Sequence, residues 1–147
     1  MLPIKKRIAF VVALAPLLGC GKEIGRVPFA APGTADATMT LKAGEVDFWT
    51  DIDLSWEGSA TLDYQVTLEQ GGKTVATATC DPLGQLHVKQ MWTETNLGAS
   101  HSRHGRGKMS CSTSLASGGP TTVKATLAWG GKPSTETLRK ADLVVRQ

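Results

Sequence analysis

Apolar and polar side chains alternate from Val46 to Trp56. Val46, Phe48, Thr50, Ile52, Leu54 and Trp56 fall on one side, and Asp47, Trp49, Asp51, Asp53 and Ser55 on the other. A period of two sustained over eleven residues predicts a strand with one face in the core and one in water. Leu62, Tyr64, Val66 and Leu68 repeat the pattern against Thr61, Asp63, Gln65 and Thr67. Gln70-Gly71-Gly72 then supplies turn residues, so the chain is expected to fold back as a hairpin through Lys73 to Cys80.

Asp81-Pro82-Leu83-Gly84 reads as a turn, because proline fixes φ and glycine permits positive φ; Leu86, Val88, Gln90 and Trp92 follow as a further alternating stretch. From Asn96 to Lys108 no apolar period survives, and the density of Gly, Ser, His and Arg predicts an exposed loop before a strand at Met109 to Thr113. Val123, Ala125, Leu127 and Trp129 predict another strand, joined through Gly130-Gly131-Lys132-Pro133-Ser134 to a last segment, about Leu138 to Val145, as a closing hairpin. Leu138, Ala141 and Val145 also fit helical spacing, so strand and helix both stay open there. With an early segment near Thr38 to Leu41, about seven or eight short strands result. The expected fold is all-β, an antiparallel β-sandwich of the immunoglobulin-like or jelly-roll-like kind. The run Val46 to Leu54, in which a strand bearing aspartates opens the sheet, resembles extracellular immunoglobulin-like or jelly-roll accessory domains.

The N-terminus has a different pattern. Lys5-Lys6-Arg7 precedes an apolar run from Ile8 to Leu18 that is too short to span a bilayer as a helix, which is the order of an export signal. It ends in Leu17-Leu18-Gly19-Cys20, which resembles the lipobox of bacterial lipoproteins. That resemblance implies removal of residues 1–19 and lipidation of Cys20, a membrane anchor and a place in the bacterial envelope. Leu18 departs from the small residue usual at its position. Gly21 is not the aspartate of inner-membrane retention, so the outer membrane is favoured in a Gram-negative host. The Gly-, Ala- and Pro-rich stretch that follows, residues 20–37 counted from the lipidated cysteine, is expected to be a flexible tether holding a domain at 38–147 on the order of 20 Å from the bilayer.

The signal also changes the charge. Of the 16 Lys and Arg in the chain three belong to it, and without them the basic residues equal the 13 Asp and Glu. A neutral domain with few aromatics offers little to displace counterions from phosphates, and no nucleic-acid partner is expected. With Cys20 given to lipid, Cys80 and Cys111 remain as an even pair in an oxidising compartment, and a Cys80–Cys111 disulfide is expected.

Three constellations carry candidate chemistry. Trp49 lies among Asp47, Asp51 and Asp53 on the polar side of the clearest strand, where a flat ring beside carboxylates would suit a sugar, and the carboxylates a calcium ion at the strand edge. His101, Arg103, His104, Arg106 and Lys108 make a cationic loop suited to anionic headgroups or an acidic partner. A zinc reading of the two histidines with Cys111 lacks defined geometry and is not adopted. No G-x-S-x-G elbow and no phosphate-binding glycine loop occurs, so neither catalysis nor a cofactor is expected. The sequence therefore reads as a lipid-anchored envelope protein whose non-catalytic sandwich is a structural or protein-interaction module with an envelope protein as partner. A carbohydrate- or calcium-binding module using Trp49, Asp47, Asp51 and Asp53 is the alternative.

Overall fold

In the computed structural model, which describes residues 21–147, the chain runs through nine strands and forms no helix among those residues. They are β1 (Glu23–Val27), β2 (Gly33–Leu41), β3 (Gly44–Glu57), β4 (Thr61–Gln70), β5 (Lys73–Cys80), β6 (Val88–Leu97), β7 (Ser100–Leu115), β8 (Gly119–Gly130) and β9 (Thr135–Arg146). A five-stranded sheet, β1-β9-β3-β7-β6, packs on a four-stranded sheet, β2-β8-β4-β5, with every pairing antiparallel. The fold is a β-sandwich. The segment read as an export signal, and Cys20, lie outside the described residues.

The alternation of β3 is realised as expected. Val46, Phe48, Ile52, Leu54 and Trp56 point into the interlayer core, where they meet Leu62, Tyr64, Val66 and Leu68 of β4, Val123 and Leu127 of β8, and Leu143 and Val145 of β9. Tyr64 is the polar member of this core. Its hydroxyl donates to the Ala141 carbonyl and accepts from the Thr50 hydroxyl, both at 2.9 Å, and so ties β4 across the core to β9 and β3. Burial pushes the Tyr64 hydroxyl well above the ordinary tyrosine range, because a phenolate has no water there. A group with a raised folded value adds stability below its unfolded value near 10 and loses it as pH climbs toward the folded one. Tyr64→Phe is therefore expected to cost about 1–2 kcal/mol at neutral pH and to lose less stability than the wild type on moving to about pH 11, as read by urea denaturation at both pH values.

The hairpin of β4 and β5 turns at Gly71 and Gly72, whose φ of 57° and 77° only glycine adopts without strain. Three other expectations are corrected. The stretch expected as a tether is β1 and most of β2. The inward residues of β2, Ala35, Ala37 and Met39, are mostly small, so burial at this edge leaves a faint apolar period. The stretch expected as an exposed loop is the β6–β7 hairpin. In β7 the inward positions Gly105 and Gly107 are buried although they carry no apolar side chain. The segment around Leu138 to Val145 is strand, which settles the two readings left open there in favour of the expected one. It does not close a hairpin with β8, because β8 joins the four-stranded sheet and β9 the other.

The glycines of β7 are required by close approach. Residue Leu86 tucks against Gly107 at the place a side chain would occupy. Opposite Gly105 the strand β6 bulges, so that Met91 and Trp92 together face that one residue, with Met91 at a φ of 51°. A Cβ on Gly105 would sit 2.5 Å from the Met91 carbonyl oxygen, and its own φ of 134° disfavours any side chain. Gly105→Ala is expected to cost about 2–3 kcal/mol in urea denaturation, far more than Ser110→Ala on the outward side of the same strand.

Candidate functional site

The site-bearing surface is the outer face of the five-stranded sheet, built by side chains that point away from the core. On β3 these are Asp47, Trp49, Asp51, Asp53, Ser55 and Glu57, and the register sets beside them the outward residues of β9 and β7. The face divides into an ionic centre and a groove near the end of β3 that bears Glu57.

At the centre Asp51 stands in register with Asp142 of β9, and both are nearly buried. Arg26 of β1 reaches over β9 and donates to both carboxylates, at 3.1 Å and 3.0 Å, while also pairing with Glu23. Lys140 donates to Asp51 at 2.9 Å, and Arg106 lies 3.4 Å from the same oxygen. The second oxygen of Asp142 accepts the Phe29 backbone N–H, which anchors the crossing from β1 to β2. Burial alone would raise the Asp51 carboxyl. The hydrogen bonds from Lys140 and Arg26 more than offset it and hold Asp51 below the ordinary carboxylate range. Arg139 does the same for Asp53 at 2.7 Å, and Lys108 pairs with Asp47 at 3.7 Å.

The strand face proposed from sequence for sugar or calcium is thus occupied otherwise. Trp49 shares the face with Asp47, Asp51 and Asp53 as expected, but it is only 2% exposed, with the Arg146 guanidinium 4.4 Å from its ring centroid. It has no free ring surface for a sugar. The three aspartates are each engaged by a different cation, and among the described residues no three His, Cys, Asp or Glu side chains converge as a metal cage.

The cationic group is divided by the same alternation. His104, Arg106 and Lys108 point outward on β7, whereas His101 and Arg103 point inward. There the His101 ring stacks on Trp56 with centroids 5.0 Å apart, and Arg103 lies 5.2 Å from the Trp56 ring. The Asn96 side-chain oxygen accepts from Arg103 at 3.0 Å and lies 2.7 Å from His101 Nδ1. On β6 the Glu94 carboxyl is held below the ordinary range by the hydrogen bond from the Trp92 indole at 2.9 Å, and by Arg103 and Lys89 nearby. This polar and aromatic cluster lies on the inward side of the β6–β7 ribbon and stays partly exposed. Trp56 is buried in the core, and Trp92 and Trp129 pack partly buried against it.

Cys80, on the edge strand β5, is bonded to Cys111 of β7 across the layers, with the Cα atoms 5.3 Å apart. Sequence reasoning missed the groove. It has a volume of about 300 Å³ and crosses four strands, with Thr137, Ser55, Ser102 and Thr95 in one row and Glu57, Glu136, Leu97 and the edge of Trp56 around them. Only Ser55 stood in the sequence as an outward strand residue; Ser102 fell in the stretch expected as a loop, and Thr95 and Thr137 lay outside the expected strands. Only the cross-strand register makes them neighbours. Compared with known proteins, the chain matches no family model, no curated protein and no solved structure.

Proposed function

We propose that this chain is a lipid-anchored protein of the bacterial envelope whose β-sandwich is non-catalytic and serves as an interaction module, held upright on the outer membrane. The anchor rests on the lipobox-like Leu17-Leu18-Gly19-Cys20. The observation that carries the module's orientation is how Gly21 and Lys22 are bound. Lys22 exchanges backbone hydrogen bonds with Gln147, and the Gly21 carbonyl accepts from the Arg146 side chain, so residue 21 is bound to the end of the five-stranded sheet where β3 starts. The chain is thus bonded into the sheet from Gly21 onward. The groove lies toward the opposite end of β3, at Ser55 to Glu57, which at about 3.3 Å per residue is roughly 26–33 Å from the Asp47 position paired with Arg146. An anchored domain of this shape presents the groove and the exposed Leu97 away from the lipid, toward an envelope partner.

The test combines two readouts. Wild type is expected to incorporate labelled palmitate and to fractionate with membranes, and Cys20→Ala to do neither. A photo-crosslinking residue at Lys42, in the turn beside Gln147, is expected to form lipid adducts, and one at Leu97 to form protein adducts only. Palmitate in the alanine variant, or lipid adducts equal at both positions, would contradict the reading.

A further inference from the structure

We propose that the groove across β9, β3, β7 and β6 binds a saccharide that carries a protonated amine, one amino-sugar ring at a time. This inference does not depend on the lipid anchor and concerns the groove alone.

The floor of the groove is a row of hydroxyls in register, Thr137, Ser55, Ser102 and Thr95, on neighbouring strands about 4.8 Å apart. That spacing matches the distance across a pyranose ring between its hydroxyls. Each floor hydroxyl both donates and accepts, which is what a ring of alternating donors and acceptors requires. Small side chains here leave a depression, and Leu97, which is 73% exposed, offers an apolar wall for the C–H face of a ring. The volume of about 300 Å³ stands at the lower end of small-molecule sites and takes a single ring with its substituents.

Charge selects within the saccharides. On the same sheet Asp47, Asp51, Asp53 and Asp142 are each matched to a cation. Glu57 on the groove side, and Glu136, which borders the groove but whose register with Trp56 sets its side chain toward the other face, carry no ion pair among the described residues; the only hydrogen bond to a Glu57 carboxylate oxygen there comes from the Ser100 hydroxyl at 3.4 Å. The Glu57 carboxylate, without a counter-charge beside a floor of hydroxyls and with Glu136 at the groove's margin, favours a ligand that brings both hydroxyls and a positive charge. An ammonium on the ring supplies three donors for these groups.

The experiment is a titration of the ¹⁵N-labelled full chain in detergent with glucosamine, glucose and ethanolamine separately, followed by amide chemical shifts. Glucosamine is expected to produce saturable shifts centred on Ser55, Ser102 and Thr137 below about 10 mM, with glucose and ethanolamine each weaker by about fivefold or more. Ser102→Phe fills the floor and is expected to abolish the response. The double variant Glu57→Gln/Glu136→Gln changes only groove-border carboxylates and keeps the interpretation open if the phenylalanine variant misfolds. It is expected to bring glucosamine down to the level of glucose. No saturable shift up to about 10 mM, shifts centred outside the groove, equal responses to glucosamine and glucose, or a double variant indistinguishable from wild type would each overturn the proposal.

Discussion

Replacing Cys80 and Cys111 together by alanine is expected to lower the melting temperature by about 10–15 °C, the largest effect of any change considered. The bridge closes a chain segment with a sequence separation of 31, for which loss of unfolded-state entropy corresponds to roughly 3.5 kcal/mol. Its place in the fold explains why the loss is not absorbed elsewhere. The strand β5 is the edge of its sheet and pairs only with β4, and the segment from Asp81 to His87 then crosses to the other layer. The disulfide is the covalent tie between the layers on that side. Calorimetry checks the claim directly. Reduced wild type should melt with the double-alanine variant, and a difference from oxidised wild type below about 3 °C would remove the bridge from the list of principal stabilising features.

The second large effect belongs to Arg26→Met, expected to cost about 3 kcal/mol at neutral pH. The methionine spans a similar length but leaves Asp51 and Asp142 facing each other, nearly buried, without the cation that bridges them. The figure sits at the low end for a broken buried pair because Arg26 is partly exposed and Lys140 still serves Asp51. Acid sharpens the test. The folded Asp51 carboxyl lies below its ordinary value of 3.8, so its contribution is present above that value and is lost as pH falls through the folded one. In the methionine variant the carboxyl loses the Arg26 part of that support, its folded value rises, and the contribution shrinks to what Lys140 and Arg106 still supply. Wild type and variant are therefore expected to differ most near neutral pH and to converge below about pH 4. A gap that stays constant across this range would show that Arg26 acts through packing alone. Hydrogen exchange would add a local signature, with β1 amides opening first, since that strand pairs only with β9.

Period, turn chemistry and cysteine parity are local properties, and they carried far. The alternation at Val46 to Trp56 and at Leu62 to Leu68 set two central strands with the correct faces inward, and Gly71-Gly72 set their hairpin to β5. An even pair of cysteines was enough to expect the bridge between them. The class of fold follows from these features, because strands of period two with one apolar face must cover those faces with a second sheet.

Everything that depends on a neighbour distant in the chain was decided by the tertiary structure. The local pattern of β7 looked like a loop because its inward positions are Gly105 and Gly107, whose space is taken by Met91, Trp92 and Leu86. Equally, β1 and β2 looked like a tether because edge strands bury little, and the hold on β1 comes from Arg26 reaching carboxylates 25 and 116 positions away. Trp49 read as an exposed platform because period two assigns a side, whereas exposure depends on what covers that side, here in part Arg146. The groove follows the same logic. Its hydroxyls, spread from Ser55 to Thr137, become one surface only through register, which is set jointly by core packing and hydrogen-bond ladders across the whole sheet.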